Sequence, residues 1–287
     1  MSIPTPTEIA QRIQFDEIVK QVQDLPSLPA VVMELLDSID SEDVDINVLA
    51  RKVSHDQALT AKTLRFANSS FYGTPSKVTT IQQAITLLGV TNVRNLILAA
   101  ALSGSFPENQ CPGFSFKAFW RHAISTAVCA KLLARHVHLN PDYAFTAGLL
   151  HDIGRLVLVT RFPEHYAEAI AYRKQHDCYL LEAERAVLGI DHLIAGHALA
   201  VHWHFSDAMQ HAIAGHHEPE KTESSLLVAV IHVADSIVHA LDLAGVDDDL
   251  VPPIALTAWN NLGLEPDIYQ HVFRETVLQF EQLNQVI

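Results

Sequence analysis

Apolar residues recur at intervals of three and four positions along most of the chain. The segments 46–53, 81–88 and 93–100 have this spacing, which places the apolar side chains on one face of an α-helix. No alternating apolar and polar pattern of useful length predicts a β-strand. The pattern therefore predicts an all-α fold.

Residues that cap helices stand before the apolar segments of the N-terminal half. Asp45, Asp56 and Thr91 each precede such a segment, and Thr80 with Gln83 forms a capping-box pattern. The segment 71–77, which contains glycine and proline, is predicted to be a loop. These signals predict a series of short amphipathic helices.

The C-terminal half is predicted to contain longer helices. Their predicted ranges are 116–136, 142–151, 163–175, 179–188, 191–203, 206–216 and 224–242, with two more helices after 253. In the last helix, Phe273, Val277 and Phe280 are predicted to line one side. Because 105–113 contains prolines and a glycine, we predict a boundary there. The predicted division is an extension at 1–24, an N-terminal helical part at 25–110, a second part at 111–245 and C-terminal helices at 246–287, with 25–245 as one unit in the alternative.

Composition and charge limit the classes of function. Hydrophobic residues make up 49% of the 287 residues, and the formal net charge is −14 at pH 7. An acidic surface repels phosphate backbones, so we expect no non-specific nucleic-acid binding. No apolar segment is long enough for a membrane span and no signal peptide is recognisable, so we expect a cytoplasmic protein. The odd, widely spaced cysteines, Cys111, Cys129 and Cys178, are predicted to be buried reduced thiols.

The candidate chemistry begins at His151-Asp152. A neutral imidazole and a carboxylate are both good ligands for Fe, Mn or Zn. Adjacent helical positions point about 100° apart, so the pair needs partners from other helices. His55-Asp56 is the same dipeptide without such partners, and we interpret it as a loop residue and a helix N-cap.

Partners for this pair are present elsewhere in the C-terminal half. His122, His192, His216 and His217 are candidates, and Asp235 lies in an apolar helical segment. A carboxylate in such surroundings must be paired, protonated or bound to something, and a metal would satisfy it. The other interpretation is a polar core in which histidine and aspartate satisfy one another.

The chain contains 17 histidines, and most of them are predicted to lie outside the ligand set. His197 is predicted to lie too far round its helix to share the face of His192, and His232 to hydrogen-bond near the site without ligating. Glu184, eight residues before His192, could approach the same site. Surface or hydrogen-bonded positions are predicted for His136, His138, His165, His176, His202, His204, His211, His239 and His271.

Several separated motifs resemble HDOD domains in the expected order. The matching segments are 25–29, 58–69 and 81–89, and the resemblance continues through 217–219 and Asp235. HDOD proteins are similar to HD phosphohydrolases and to HD-GYP cyclic-dinucleotide phosphodiesterases. The resemblance implies an N-terminal helical subdomain packed on an HD-like helical subdomain.

By analogy with HD-GYP sites, the resemblance also implies a ligand set for one or two divalent metal ions. Asp152 would bridge two metals, with His122, His151 and Asp235 on one and His192, His216 and His217 on the other. Fe or Mn is expected, with Zn as an alternative. Asp152 and Arg155 are the candidate catalytic residues, because a guanidinium can hold a phosphate oxygen.

The chain also departs from the HD-GYP pattern. Arg155 replaces the lysine usual after His-Asp-Ile-Gly, and residues 218–221 replace the Gly-Tyr-Pro segment. The second departure argues against cyclic-dinucleotide cleavage.

Three hypotheses about function follow. Because many HDOD members act as signalling modules, the first is a regulatory protein with a retained metal centre and an unidentified signalling partner. The alternative is a metal-dependent phosphohydrolase with a phosphorylated small molecule or nucleotide as its ligand. Redox chemistry at a diiron site, as in some HD relatives, is the third. We expect no receiver or kinase domain within the short segment before residue 25.

Overall fold

Helices are the only regular secondary structure in the described part of this computed structural model. The structure describes residues 12–25, 27–37, 46–68, 77–106, 111–221, 225–246 and 249–284. Its helices are α1 (Phe15–Gln23), α2 (Ala30–Asp37), α3 (Ile46–His55), α4 (Gln57–Ala67), α5 (Ile81–Leu88), α6 (Val90–Ser105), α7 (Phe116–Ala134), α8 (Pro141–Leu150), α9 (Ile153–Arg161), α10 (Pro163–His176), α11 (Leu180–Val187), α12 (His192–His202), α13 (Asp207–Gly215), α14 (Leu226–Ala240), α15 (Leu256–Leu262) and α16 (Pro266–Asn284). The predicted all-α fold is confirmed.

Two of the predicted N-terminal caps are confirmed. The amide N of Leu59 donates to Oδ1 of Asp56 at 2.9 Å, and the amide N of Gln83 donates to Oγ1 of Thr80 at 3.1 Å. The prediction that Thr91 caps the next helix is wrong, because α6 begins at Val90 directly after its N-cap, Gly89. The predicted cap at Asp45 and the loop 71–76 lie outside the described residues.

Other local predictions need correction. His55 is the last residue of α3 rather than a loop residue, and α9 was not predicted at all. In α16 the buried face carries Tyr269, Val272, Thr276 and Phe280, whereas Phe273 is exposed. The helix is rotated relative to the predicted face because it packs on α7, a contact that the local pattern does not contain.

Helix α7 forms the centre of the C-terminal half. It is buried along most of its length and packs on α8, α14 and α16. Helices α9 and α12 pack closely at Gly154, where an added Cβ would lie 1.9 Å from the carbonyl oxygen of His192. This packing brings the beginnings of α9 and α12 together, and both begin beside candidate site residues.

The N-terminal helices join this half through few elements. Helix α6 packs on α4, α5 and α8, and α1 packs on α12 within the segment predicted to be an extension. Ile18 and Val22 of α1 are buried there, and the amide N of Ile13 donates to the carbonyl oxygen of Leu188 at 2.9 Å. Residues 13–23 are therefore part of the packed fold.

All of the cysteines are free thiols, as predicted. Cys111 and Cys129 are buried, but Cys178 is only partly buried, which corrects the prediction for that residue. Among the described residues, no helix combines the length and apolar character needed to cross a bilayer.

Candidate metal centre

The His151-Asp152 dipeptide lies at the junction of two helices. His151 is the C-cap of α8 and Asp152 the N-cap of α9, so the chain changes direction between them. Both side chains are buried. The junction allows both side chains to face the same centre, although adjacent residues within one helix would point apart.

The two carboxylate oxygens of Asp152 face different histidine groups. Oδ2 lies 3.9 Å from Nε2 of His122 and 3.8 Å from Nε2 of His151. Oδ1 lies 3.5 Å from Nε2 of His192 and 3.5 Å from Nε2 of His216. A carboxylate in this position can provide one oxygen to each of two cations.

Asp235 completes the first histidine group. Its Oδ1 lies 3.0 Å from Nε2 of His122 and 3.6 Å from Nε2 of His151. The two imidazole Nε2 atoms are themselves 3.1 Å apart. Donor atoms of different helices therefore converge on one point, as metal ligands do.

The second group consists of Asp152, His192, His216 and His217, whose candidate ligand atoms all lie within 4.8 Å of one another. Nδ1 of His217 is also 3.7 Å from Oδ2 of Asp235, so the two groups are adjacent. The structure thus brings together every residue of the ligand set that the resemblance implied.

Hydrogen bonds at Nδ1 orient the imidazoles of both groups. Nδ1 of His151 donates to the carbonyl oxygen of Gly148 at 2.6 Å, and Nδ1 of His216 donates to that of Ile213 at 3.0 Å. These bonds leave the Nε2 lone pairs directed at the centre. Metal-ligating histidines commonly have such supporting acceptors.

Glu184 supports His192 in the same way. Its Oε2 accepts from Nδ1 of His192 at 2.6 Å and from the amide N of His192 at 2.9 Å. The Glu184 side chain is fully buried. An approach of Glu184 to the site was predicted from the sequence, and in the structure Glu184 contacts a histidine rather than the centre itself.

The centre contains buried polar atoms that lack hydrogen-bond partners among the described residues. They include Oδ1 of Asp152, Nε2 of His192, Nε2 of His216 and both oxygens of Asp235. Leaving such atoms unsatisfied costs about 1–3 kcal/mol each, and more for charged groups. Divalent cations bound by these nitrogen and oxygen donors would satisfy them, so the residues fit a metal centre.

The charges favour a cation at this position. Burial alone would raise the pKa of Asp152, but Arg155 and His151 outweigh it and lower the pKa well below its usual value. Burial is likewise outweighed at Asp235, where His239 lowers the pKa well below the usual value. Both carboxylates are therefore ionised at neutral pH.

Several imidazoles of the centre are neutral, because at these residues burial outweighs the neighbouring charges. Burial lowers the pKa of His122 to about 4, and burial together with His216 lowers that of His217 well below its usual value. Burial is outweighed at His192, where Glu184 raises the pKa to about 9. Neutral imidazoles bind metal directly, whereas His192 must release a proton when it becomes a ligand.

His239 is a site residue that the sequence analysis placed outside the ligand set. Its Nε2 lies 3.4 Å from Oδ1 of Asp235, and it forms a further possible ligand group with His122 and Asp235. Its Nδ1 contacts Oδ2 of Asp249 at 2.7 Å. The signal for it was present, because residues four apart on a helix share a face and His239 follows Asp235 by four.

His232 lies near the centre without facing it, as predicted. Its Nδ1 donates to the carbonyl oxygen of His216 at 2.6 Å, and its Nε2 accepts from the amide N of Ala255 at 2.8 Å. Both ring nitrogens are thus occupied by the backbone. His232 therefore holds the His216 segment against the loop that precedes α15.

Arg155 lies beside the bridging carboxylate. Its Nη1 donates to Oδ2 of Asp152 at 2.7 Å, and its Nε donates to the hydroxyl of Tyr166 at 3.3 Å. The guanidinium also lies 5.9 Å from the ring centroid of Phe114 and 5.8 Å from that of Phe119. These contacts fix Arg155 in a defined position next to the centre.

A cavity of about 370 Å³ opens on the centre. Its lining includes His122, Asp152, His192 and His217 on one side, and Arg155 beside them. Pockets that bind small molecules have volumes of about 300–1,000 Å³. A small ligand in this cavity would contact the candidate metal ligands directly.

Replacing Glu184 by glutamine is expected to weaken metal binding at the His192 position by about 10- to 100-fold. The amide removes the negative charge that holds Nδ1 of His192 at 2.6 Å. Titration of the metal-free protein with Mn²⁺, followed by calorimetry, measures this affinity. The exposed Glu168→Gln is the matched control, and equal affinities for the two variants would contradict the prediction.

An all-helical fold with two histidine groups around a shared aspartate fits an HD-type site. The HDOD domain model matches residues 25–219. The chain therefore belongs to the HDOD family.

Solved structures share this fold over nearly the whole chain. An HDOD domain protein of unknown function from Geobacter sulfurreducens is 22% identical, with a TM-score of 0.81 and coverage of 96% of this chain and 99% of that one. A protein from Shewanella amazonensis SB2B, provisionally described as a phosphohydrolase, is 29% identical, with a TM-score of 0.71 and coverage of 94% and 96%. At 22% identity, the first similarity concerns the fold alone.

Curated relatives are longer than this chain. An uncharacterized protein of Treponema pallidum is 25% identical over 234 residues, which are 78% of this chain and 44% of that protein. Ribonuclease Y of Clostridium tetani is 30% identical over 117 residues, which are 41% of this chain and 17% of that enzyme. The chain thus spans less than half the length of either relative.

Proposed function

We propose that this HDOD protein is a metal-dependent phosphohydrolase that acts on a phosphomonoester or a phosphodiester. The observation that carries the proposal is that the two carboxylate oxygens of Asp152 face different histidine groups. Oδ2 faces His122 and His151, and Oδ1 faces His192 and His216. The unpartnered donor atoms at the same place support it.

Divalent cations, when bound, supply Lewis acidity and a nucleophile at neutral pH. The first would be held by His122, His151, Asp152 and Asp235, and the second by Asp152, His192, His216 and His217. Because the donors are imidazole nitrogens and carboxylate oxygens, we propose Fe or Mn, with Zn as the alternative.

The chain's own residues bind and orient the phosphate. Arg155 lines the cavity, and its Nη2 makes no hydrogen bond to any described residue, so it can donate to a phosphate oxygen. The rings of Phe114 and Phe119, whose centroids lie 5.9 Å and 5.8 Å from the guanidinium, help to keep that donor in place.

A substrate panel tests the proposal. Protein loaded with Mn²⁺ or Fe²⁺ is expected to hydrolyse p-nitrophenyl phosphate or bis(p-nitrophenyl) phosphate, and Asp152→Asn is expected to lose this activity by at least about 100-fold. Asp56→Asn changes the other His-Asp dipeptide and should retain full activity. Absence of turnover by metal-loaded wild-type protein on both esters would refute the proposal.

A regulatory role is the second candidate. Among the described residues, α1 to α6 contribute no member of the His/Asp groups, so this packed helical part is available for contacts with a signalling partner. Under this hypothesis, substitutions of the ligands change partner binding without any turnover to lose. The net charge of −14 argues against non-specific nucleic acid as that partner.

A further inference from the structure

A single guanidinium joins the two segments that carry His192 and His217. Arg185 lies on α11, and its Nε donates to Oδ2 of Asp191 at 2.7 Å. Its Nη1 and Nη2 donate to Oε1 and Oε2 of Glu218 at 2.8 Å and 3.0 Å. Asp191 directly precedes His192 in the chain, and Glu218 directly follows His217. Arg185 therefore binds next to two ligands of the second group.

The contact with Asp191 fixes the beginning of α12. Asp191 is the N-cap of this helix, and its Oδ1 accepts from the amide N of Ile194 at 2.9 Å. Its side chain is buried, and its other oxygen is bound by Arg185. Glu184, the residue before Arg185, binds His192 from the same helix. Helix α11 therefore holds the first turn of α12 through two neighbouring side chains.

The contact with Glu218 holds the segment that follows α13. His217 lies in this segment, outside any helix. Its imidazole makes no hydrogen bond to a described residue, and its Nδ1 lies 3.7 Å from Oδ2 of Asp235. Unlike His192, it has no acceptor among the described residues that orients its ring. The position of His217 therefore depends mainly on its backbone, which Arg185 holds through the adjacent Glu218.

The contacts of Arg185 have the geometry of strong ion pairs. Both Nη atoms bind one carboxylate, and such bidentate, charge-assisted hydrogen bonds are stronger than neutral ones. The side chain of Arg185 is partly exposed, but that of Asp191 is buried, which shields this pair from water. Lys221 also donates to Oε1 of Glu218, at 2.9 Å, but makes no ion pair with Asp191. Among the described residues, Arg185 is the cation that joins both segments.

We propose that Arg185 is a positioning residue of the metal centre. By holding the residues adjacent to His192 and His217, it sets the separation of these two ligands and the metal affinity of the second group. It makes no hydrogen bond to a described ligand of either group, so it acts through its two carboxylate partners. The inference rests on the metal centre of the proposed function, but it does not depend on hydrolysis.

Titration of the metal-free protein with Mn²⁺, followed by calorimetry, tests this inference. Arg185→Gln is expected to weaken Mn²⁺ binding at the second group by about tenfold, the lower end of the loss caused by removing an outer partner of a metal ligand. Binding at the first group should be unchanged. The affected binding step is identified as the one that Glu184→Gln also weakens. Loss of a positive charge would by itself strengthen cation binding, so a weaker step reports position rather than charge.

A conservative variant and a control complete the test. Arg185→Lys keeps the charge but cannot form the three hydrogen bonds of the guanidinium. It should weaken the same step by less than Arg185→Gln does, and it serves as the test if circular dichroism shows that Arg185→Gln is unfolded. Lys221→Gln is the matched control, because it removes a cation from Glu218 without affecting Asp191. It should leave both binding steps unchanged.

The outcomes separate this inference from the proposed function. Mn²⁺ binding that is unchanged or tighter in both Arg185 variants, or two steps weakened to the same extent, would overturn the inference. Wild-type protein with fewer than two Mn²⁺ steps would also overturn it. Hydrolysis of bis(p-nitrophenyl) phosphate by the wild-type sample tests the function independently. Hydrolysis together with unchanged binding in Arg185→Gln leaves the function standing, whereas a selective loss of affinity without hydrolysis supports the positioning role and counts against the function.

Discussion

Replacement of Asp152 by asparagine is expected to remove bound metal from both positions of the centre. Oδ2 of Asp152 faces His122 and His151, and Oδ1 faces His192 and His216. An amide lacks the negative charge and offers one oxygen instead of two. Because loss of a supporting residue alone costs about 10- to 100-fold in affinity, loss of this shared ligand should cost at least about 100-fold.

Metal analysis by mass spectrometry on protein purified without an affinity column measures this loss. Asp56→Asn is the matched control, since asparagine still caps α4 and the change keeps the fold and the metal content. Circular dichroism shows whether Asp152→Asn is folded. Folded Asp152→Asn with the metal content of the wild type would contradict the prediction.

Replacement of Gly154 by alanine is expected to destabilise the protein by about 3 kcal/mol, the upper end of the usual cost of an added core methyl group. A Cβ there would lie 1.9 Å from the carbonyl oxygen of His192 and 2.5 Å from the amide N of Gly196. Backbone atoms cannot rotate away as a flexible side chain can, so α12 must move away from α9. His192, the first residue of α12, would then move away from Asp152.

Thermal unfolding of the metal-free variant should show a Tm lower by roughly 6 °C or more. Metal titration should show the weaker affinity at the His192 position. Gly104→Ala in α6 is the control, because its nearest contact is Nζ of Lys62 at 3.0 Å, the flexible end of a side chain. An unchanged Tm for Gly154→Ala would show that the helices tolerate the extra methyl group.

The candidate site could be predicted from the sequence at positions where a polar residue stands in an apolar segment. Asp235 lies in an apolar helix, and His151-Asp152 stands among apolar residues, so both required a special explanation. The resemblance to HDOD domains, which rests on the order of the motifs, then implied His122, His192, His216 and His217 as further ligands. The structure brings these residues together. Which metal they bind, and whether the site is catalytic, stays a prediction.

Other features could not be predicted because they depend on contacts between distant segments. The buried face of α16 is set by packing on α7, so Phe273 is exposed although its spacing resembles that of a core residue. His239 joins the centre by sharing a helical face with Asp235, but only the position of α14 shows that this face is the inner one.

The sequence alone determined the helical class of this protein, most of its helix positions and the residue types of its centre, because periodicity, capping and unusual polarity are local properties. Only the tertiary structure decided that Asp152 divides its oxygens between two histidine groups and that Glu184 holds His192. It also decided that Arg185 joins Asp191 to Glu218. These arrangements depend on how the helices pack, and packing distances are not encoded in the spacing of residues along one helix.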